Sequence, residues 1–258
     1  MAALMRRSAL RLVHTSDIHL DADWARPQAS GNGTYGSGQG RCLAAQAFER
    51  TVDRVRAEAA DLFLIAGDLF DSSRVGADVV DFALGELARV PCPVVVMPGN
   101  HDCYDGDSIY RRVDLRDAGS HVSVLTAEHG ETVELPDLHA TVWGRAMVEH
   151  HAGYRPLEGV PERSGQYWHL GMAHGLVTDD LRSHYSSLIR PEEIAECGLD
   201  YLALGHVHVF REVSEKGTTA CYSGSPAPLY AGRSHGSLAV VTLHPDHGVS
   251  ATAHPIEG

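Results

Sequence analysis

Residues 62–71 read LFLIAGDLFD. The first five are wholly apolar, as suits a short strand covered on both faces. A glycine and an aspartate follow where the chain must leave the sheet. The glycine permits a tight turn and close backbone approach. The acid is either an N-cap for a following helix or a ligand at the strand end. The same pattern recurs along the chain. Residues 10–15 run into Ser16-Asp17-Ile18-His19, and residues 93–97 (PVVVM) run into Gly99-Asn100-His101-Asp102. Further on come Met172-Ala173-His174-Gly175 and, after the apolar run 201–204, Gly205-His206-Val207-His208.

Between these strands lie helical patterns. Residues 43–60 carry Phe48, Val52, Val55 and Ala59 at spacings of four, three and four, which predicts a helix. Residues 78–88, with Val80, Leu84 and Leu87 on one side, predict a second, and residues 107–118 a third. After about residue 120 the texture turns to short β-like runs: HVSVL, ETVEL, HATVWG, HLGMAH, DYLALG, SLAVVTL and VSATAHPI. One helix, over 191–197, interrupts them, with Pro191 suited to a first turn. The reading is an α/β fold of mixed sheets flanked by helices. In such sheets the carboxyl ends of the strands line the ligand crevice, so the five Asp-, Asn- and His-bearing clusters converge there. Segments 29–41 (ASGNGTYGSGQGR) and 148–166 read as irregular loops.

The chain has 258 residues, is 43% hydrophobic and carries a formal net charge of −13, with Lys216 the lone lysine. That length buries a large core. The acidic balance argues against strong non-specific nucleic-acid binding by counterion release, though not against a local basic patch. No apolar run approaches the roughly 20 residues of a membrane span. The opening MAALMRRSALRLVHTSD reads as a first strand, not a leader, since its apolar stretch is short and runs directly into Asp17. Five dispersed cysteines with no CxxC pair suit reduced thiols. The expectation is a cytoplasmic protein.

The polar clusters offer seven candidate metal ligands: Asp17, His19, Asp68, Asn100, His174, His206 and His208. Carboxylates, imidazoles and an amide oxygen without thiolate suit Mn²⁺, Fe²⁺ or Zn²⁺ and argue against a structural zinc site. Seven ligands are too many for one ion and natural for two, roughly 3.5–4 Å apart, with one carboxylate shared. In Asp17-x-His19 and His206-x-His208, side chains two apart in an extended segment face the same way. Taken singly, each piece has a plainer reading: a lone Asp-x-His is weak, Asp68 alone reads as a cap, and His174 alone as a satisfied buried histidine. The ordered set is what carries weight.

The ordered motifs DIH, GDLFD, GNHD, H and GHVH resemble those of the calcineurin-like metallophosphoesterase superfamily. The flanking text HTSDIHL, LIAGDLFD, VMPGNHD, LALGHVH and YSGSP (222–226) is similar to the SbcD-type DNA repair exonucleases, over roughly residues 12–230. That resemblance implies a four-layer α/β/β/α sandwich of two facing mixed sheets. It implies two divalent ions, manganese foremost with iron or zinc as alternatives. Asp17, His19, Asp68 and His208 would hold one ion, and Asp68, Asn100, His174 and His206 the other, with Asp68 bridging. His101 would reach the phosphate and protonate the leaving oxygen, Asp102 would orient His101, and a metal-bound hydroxide would attack phosphorus in line. Asp71 has no firm role beyond its local turn.

The SbcD-type nucleases continue into a capping domain and a segment that docks on an ATPase partner. Here the expectation is one catalytic domain over 1–258 with no separate capping domain. The first functional reading is a dinuclear metal-dependent phosphoesterase, with phosphodiesters the expected class. The second is a DNA nuclease working with an ATPase partner, which an arginine-lined groove beside the metals would favour. The third, a non-catalytic metal-binding module, predicts loss of a ligand or of His101, and none is lost. A phosphoester, whether nucleotide or DNA, is the expected partner, and no membrane is.

Overall fold

The computed structural model describes residues 7–22, 42–149, 151, 153–163, 167–180, 187–227 and 235–257. The glycine-rich segment 29–41 lies outside them. In chain order the strands are β1 (Leu10–Thr15), β2 (Leu62–Ala66), β3 (Val94–Met97), β4 (Val122–Val124), β5 (Glu131–Leu135), β6 (Ala140–Gly144) and β7 (Trp168–His174). They continue as β8 (Leu176–Val177), β9 (Leu188–Ile189), β10 (Tyr201–Gly205), β11 (Phe210–Glu212), β12 (Thr219–Ser223), β13 (His235–His244) and β14 (Gly248–Glu257). The helices are α1 (Leu43–Ala57), α2 (Ala77–Ala88), α3 (Ile109–Arg112) and α4 (Pro191–Glu196).

Two six-stranded sheets result, ordered β14-β13-β1-β2-β3-β4 and β11-β12-β10-β7-β6-β5. Both are mixed. In the first, β1 to β4 run parallel, β13 runs antiparallel to β1 and β14 antiparallel to β13; in the second, β6, β7, β10 and β12 run parallel, with β5 and β11 antiparallel at the edges.

Side-chain alternation along the central strands divides the core into three layers. Leu12, Leu64, Val95 and Met97 of the first sheet meet Leu170, Met172, Tyr201 and Ala203 of the second. The opposite residues, Val13, Phe63, Ile65 and Val96, face Phe48 and Val52 of α1 and Val79 and Ala83 of α2. On the far side, Leu202, Leu204 and Tyr222 pack with Ile194 of α4 and with Leu157. This is the expected layering of two mixed sheets between helices. It explains why β2 and β10 are apolar at every position: both of their faces are buried.

Several boundaries differ from expectation. Helix α1 stops at Ala57, short of residue 60, because Ala59 turns into the left-handed region at φ 47°. The predicted helix over 107–118 is two short pieces. Ser108 caps α3, Val113 is extended, and Asp114 caps a single 3-10 turn at Leu115–Ala118 through the Arg116 N–H. Local side-chain capping there outcompetes helix propagation. The described part of 148–166 holds no helix or strand, yet Tyr154 and Leu157 are buried. All five cysteines are free thiols. Among the described residues no helix is long and apolar enough to cross a membrane.

One polar chain crosses the inter-sheet core. His14 Nδ1 lies 2.8 Å from the Tyr201 hydroxyl, which lies 3.1 Å from Cys221 Sγ, all fully buried. Burial holds the imidazole neutral and pushes its pKa down to about 3, against a smaller upward pull from the Leu204 backbone. The unfolded chain therefore binds a proton at His14 that the folded chain refuses. The contribution is fully present above the ordinary histidine pKa, near 6.5, and is lost as pH falls below it. By this linkage His14→Leu should flatten the acid limb. Between pH 8 and pH 5 it should lose on the order of 2 kcal/mol less stability than wild type, read from urea midpoints. Parallel acid limbs in the two proteins would remove His14 as the cause.

Candidate metal centre

Every candidate residue sits where a central strand ends. Asp17 and His19 follow β1, Asp68 follows β2, Asn100 and His101 follow β3, His174 closes β7, and His206 and His208 follow β10. The first two loops run side by side. Asp17 N donates to Gly67 O, and the N–H groups of Ile18 and His19 both donate to Asp68 O, at 2.9–3.0 Å. Asp17, His19, Asp68 and His206 all adopt positive φ, at 54°, 52°, 53° and 96°. Such backbone is costly for residues with a side chain and persists only where surrounding contacts enforce it, as at functional sites.

Glycines let the loops close in. A Cβ on Gly205 would stand 1.9 Å from Ala66 O, and one on Gly99 would stand 2.2 Å from Asp68 Oδ1. A Cβ on Gly67, itself at φ 92°, would meet His174 Nδ1 at 2.1 Å. These three contacts are the physical reason that Asp68, Asn100 and His206 each follow a glycine in the sequence.

The side chains form two groups whose ligand atoms all lie within 4.8 Å of one another: Asp17, His19 and the half-buried His208, and the fully buried Asp17, Asp68 and His174. Asn100 joins the second group, its Oδ1 3.0 Å from both His174 Nε2 and His206 Nδ1. Two carboxylate oxygens look both ways. Asp68 Oδ2 is 3.3 Å from His174 Nε2 and 3.9 Å from His19 Nε2. Asp17 Oδ1 is 3.5 Å from His208 Nε2 and 4.0 Å from His174 Nε2.

Imidazole orientation is set from behind. His174 Nδ1 lies 2.9 Å from Ala66 O, so it carries the proton and Nε2 faces the site. His19 Nδ1 lies 3.1 Å from Asp71 Oδ1, leaving its Nε2 toward His208. Backing of this kind is typical of metal-binding histidines.

The electrostatics match. Asp17 and Asp68 are buried, and among the described residues their partners are backbone N–H groups, one hydroxyl and imidazoles, with no guanidinium or ammonium. Burial alone would lower the His174 pKa, but the charges of Asp68 and then Asp17 outweigh it and raise it to about 10. Burial would likewise raise Asp68, yet His174 and His19 hold it well below the usual carboxylate range. His206 is lowered to about 4 by burial and by His174. A cluster that forces a proton onto a buried histidine is one that demands positive charge. A divalent ion fits that demand and the oxygen and nitrogen donors that surround it.

His101 stands at the mouth with its side chain 41% exposed. Its ring crosses that of His19 edge-on at 4.6 Å. Its Nδ1 lies 3.0 Å from Asp71 O and 3.5 Å from Asp71 Oδ1. Asp102 does not orient it, contrary to expectation. The Asp102 carboxylate turns inward, fully buried, and accepts from Gly99 N at 2.7 Å, Phe70 N at 3.1 Å and the Tyr110 hydroxyl at 2.6 Å. It shapes the loop bearing Asn100 and His101, and Asp71 contacts the ring instead. Burial, then Asp68's charge, raise Asp102's pKa to about 6 against those three hydrogen bonds. Sequence reading left Asp71 at the turn; its signal was the place three residues after Asp68, which returns it to the same mouth. It passed over Ser16, Ser223 and Ser225 altogether.

The calcineurin-like phosphoesterase family matches residues 10–210. In sequence the chain is similar to the DNA double-strand break repair protein Mre11 of Methanopyrus kandleri. The two are 29% identical over 248 residues, covering 85% of this chain and 49% of that protein. It is also similar to the uncharacterized metallophosphoesterase YhaO of Bacillus subtilis, 24% identical over 225 residues, covering 84% and 53%. The chain thus spans about half the length of the curated relatives it matches. In fold it is similar to an archaeal phosphodiesterase, with TM-score 0.51 and 14% identity over 95% of this chain and 99% of that one. It is similar also to a protein of Thermus thermophilus, with TM-score 0.56 and 10% identity over 97% and 100%.

Proposed function

Since the chain belongs to the calcineurin-like phosphoesterase family, we propose that it hydrolyses phosphoester bonds, phosphodiesters foremost, at a centre holding two divalent ions. Asp17, His19, Asp68 and His208 would hold one ion. Asp68, Asn100, His174 and His206 would hold the other, with Asp68 between them. Manganese is the first choice, with iron or zinc the alternatives. Bound there, the ions supply Lewis-acid activation of the ester and of water. The observation that carries the reading is the pair of Asp and His groups meeting at four strand ends, with Asn100 joining them from a fifth.

The chain's own residues supply the rest. Asp71 fixes the His101 ring through Nδ1, which leaves Nε2 for a substrate oxygen. From there His101 stabilises charge building on phosphorus and gives a proton to the leaving oxygen. Asp102 keeps the loop in place from below. The Asp71 carboxylate also lies 3.1 Å from His19 Nδ1, so the same residue stands against a candidate ligand with its side chain and against the acid with its backbone.

A nuclease reading has one observation in its favour besides the Mre11 relative. A cleft of about 660 Å³ carries Arg111, Arg112 and Arg116 together with Tyr104 and Tyr110, and Tyr110 also holds Asp102. Arginines track a phosphate backbone, and here Arg111 stacks over the Tyr104 ring at 4.1 Å. An ATPase partner belongs to this reading alone.

The test is a substrate panel with Mn²⁺-reconstituted protein: bis-p-nitrophenyl phosphate, p-nitrophenyl phosphate, cyclic and linear nucleotides, and labelled single- and double-stranded DNA. We expect hydrolysis of the diester that His101→Ala loses. DNA cleavage with the same dependence selects the nuclease reading, and no His101-dependent hydrolysis of any substrate overturns both.

A further inference from the structure

We propose that a chain of buried hydroxyls, Ser223 to Ser16, fixes Asp17 as a metal ligand while Ser225 holds its backbone, an inference resting on the metal reading above. Ser16 Oγ lies 2.5 Å from Asp17 Oδ2 and 3.0 Å from Ser223 Oγ. A carboxylate only accepts, so the single Ser16 proton goes to Asp17. The contact with Ser223 then requires Ser223 to donate to Ser16. The order is therefore serial: Ser223 polarises Ser16, and Ser16 holds Asp17. Ser223 Oγ also lies 2.9 Å from Gly224 O, so that carbonyl competes for its proton.

Ser225 acts on the backbone. Its Oγ donates to Asp17 O at 2.6 Å, with Ala227 O a second acceptor at 2.8 Å. This anchors the residue held at φ 54°. Ser16, Asp17 and Ser223 are fully buried and Ser225 is 3% exposed, so water does not substitute for any of these bonds.

The arrangement divides the Asp17 carboxylate. Oδ2 is held by Ser16 and the His206 N–H. Oδ1 shares that N–H and faces His208 and His174. The oxygen turned to the ligand groups is thus the one the hydroxyl leaves alone. The chain also crosses the molecule: Ser16 leaves β1 of one sheet, and Ser223 ends β12 of the other. The turn that delivers Ser223 and Ser225 is locked. Gly224 is at φ +76°, where a Cβ would stand 2.3 Å from Ser237 Oγ and 2.9 Å from Phe210 N. The segment YSGSP therefore forms the back wall of the site.

The test is Mn²⁺ titration by calorimetry on wild type, Ser16→Ala, Ser223→Ala and the double variant, with thermal melts of each metal-free protein. Ser16→Ala should bind Mn²⁺ about 10- to 100-fold more weakly, the range for residues that back a metal ligand. Ser223→Ala should lose less. The double variant should match Ser16→Ala, because a serial chain has nothing left to lose once its middle is gone. Wild-type affinity in Ser16→Ala, or losses that multiply in the double variant, would overturn the relay. So would affinities that merely follow the metal-free melting temperatures. Should Ser16→Ala fail to fold, Ser223→Ala alone decides: unchanged affinity overturns the relay, and weakened affinity with an unchanged melt supports it. Wild type that takes up no Mn²⁺ overturns the metal reading itself, before any variant is compared.

Discussion

His101→Ala should keep its metal and lose about 10²–10⁴-fold in turnover, the usual cost of removing a positioned acid or base. The geometry separates the two properties. His101 is the exposed ring at the mouth, while Asp17, His19, Asp68 and His174 are buried behind it. A third close group, His19, Asp71 and His101, shares His19 with them, but its contacts run from both Nδ1 atoms to Asp71. The His101 Nδ1 is taken up by the Asp71 backbone carbonyl at 3.0 Å, so that contact holds the ring and does not leave Nδ1 as a free ligand atom. Elemental analysis beside steady-state rates checks the prediction. Loss of an ion along with turnover would make His101 a ligand, and normal turnover would end its role. Asp71→Asn, read the same way, should shift the pH profile of turnover without emptying the site.

Asp68→Asn should weaken both metal positions together, by at least about 100-fold each, since it removes a ligand charge and not merely its backing. The change is near-isosteric, so shape is kept. What is lost is the negative charge between His174 at 3.3 Å and His19 at 3.9 Å. The other oxygen, Oδ1, accepts the His101 N–H at 2.8 Å, and the amide oxygen of asparagine can keep that bond. Metal titration with two resolvable sites gives the answer. Loss at one site with the other intact would contradict the bridge and point to Asp17, whose Oδ1 also faces both groups.

The strand-end pattern made the scaffold legible. LFLIA and YLALG are apolar at every position because sheets and helices bury both of their faces, and that demand is written locally. Three of the candidate ligands, Asp68, Asn100 and His206, had a related local mark: a glycine just before them at a strand exit is a short-range signature of a loop closing on its surroundings. The helix predicted over 107–118 failed because Ser108 and Asp114 bond to nearby backbone N–H groups, a choice that periodicity does not register.

Chain order sets which residues stand at the carboxyl edge of the sheets, since strand, turn and polar side chain are neighbours along the sequence. Packing of the two sheets sets which atoms face one another. Asp102 follows His101 directly and reads as its partner, yet the loop turns its carboxylate inward to Gly99, Phe70 and Tyr110, and Asp71 from the neighbouring loop meets the ring. Ser223 lies 207 residues from Ser16 and reaches it because β12 and β1, in different sheets, end at the same place. The side-chain direction at each exit depends on left-handed backbone at Asp17, His19, Asp68 and His206, which even Asp and His, among the side chains that tolerate it best, adopt uncommonly. Contacts across the two packed sheets impose it, and those contacts exist only once the sheets have come together.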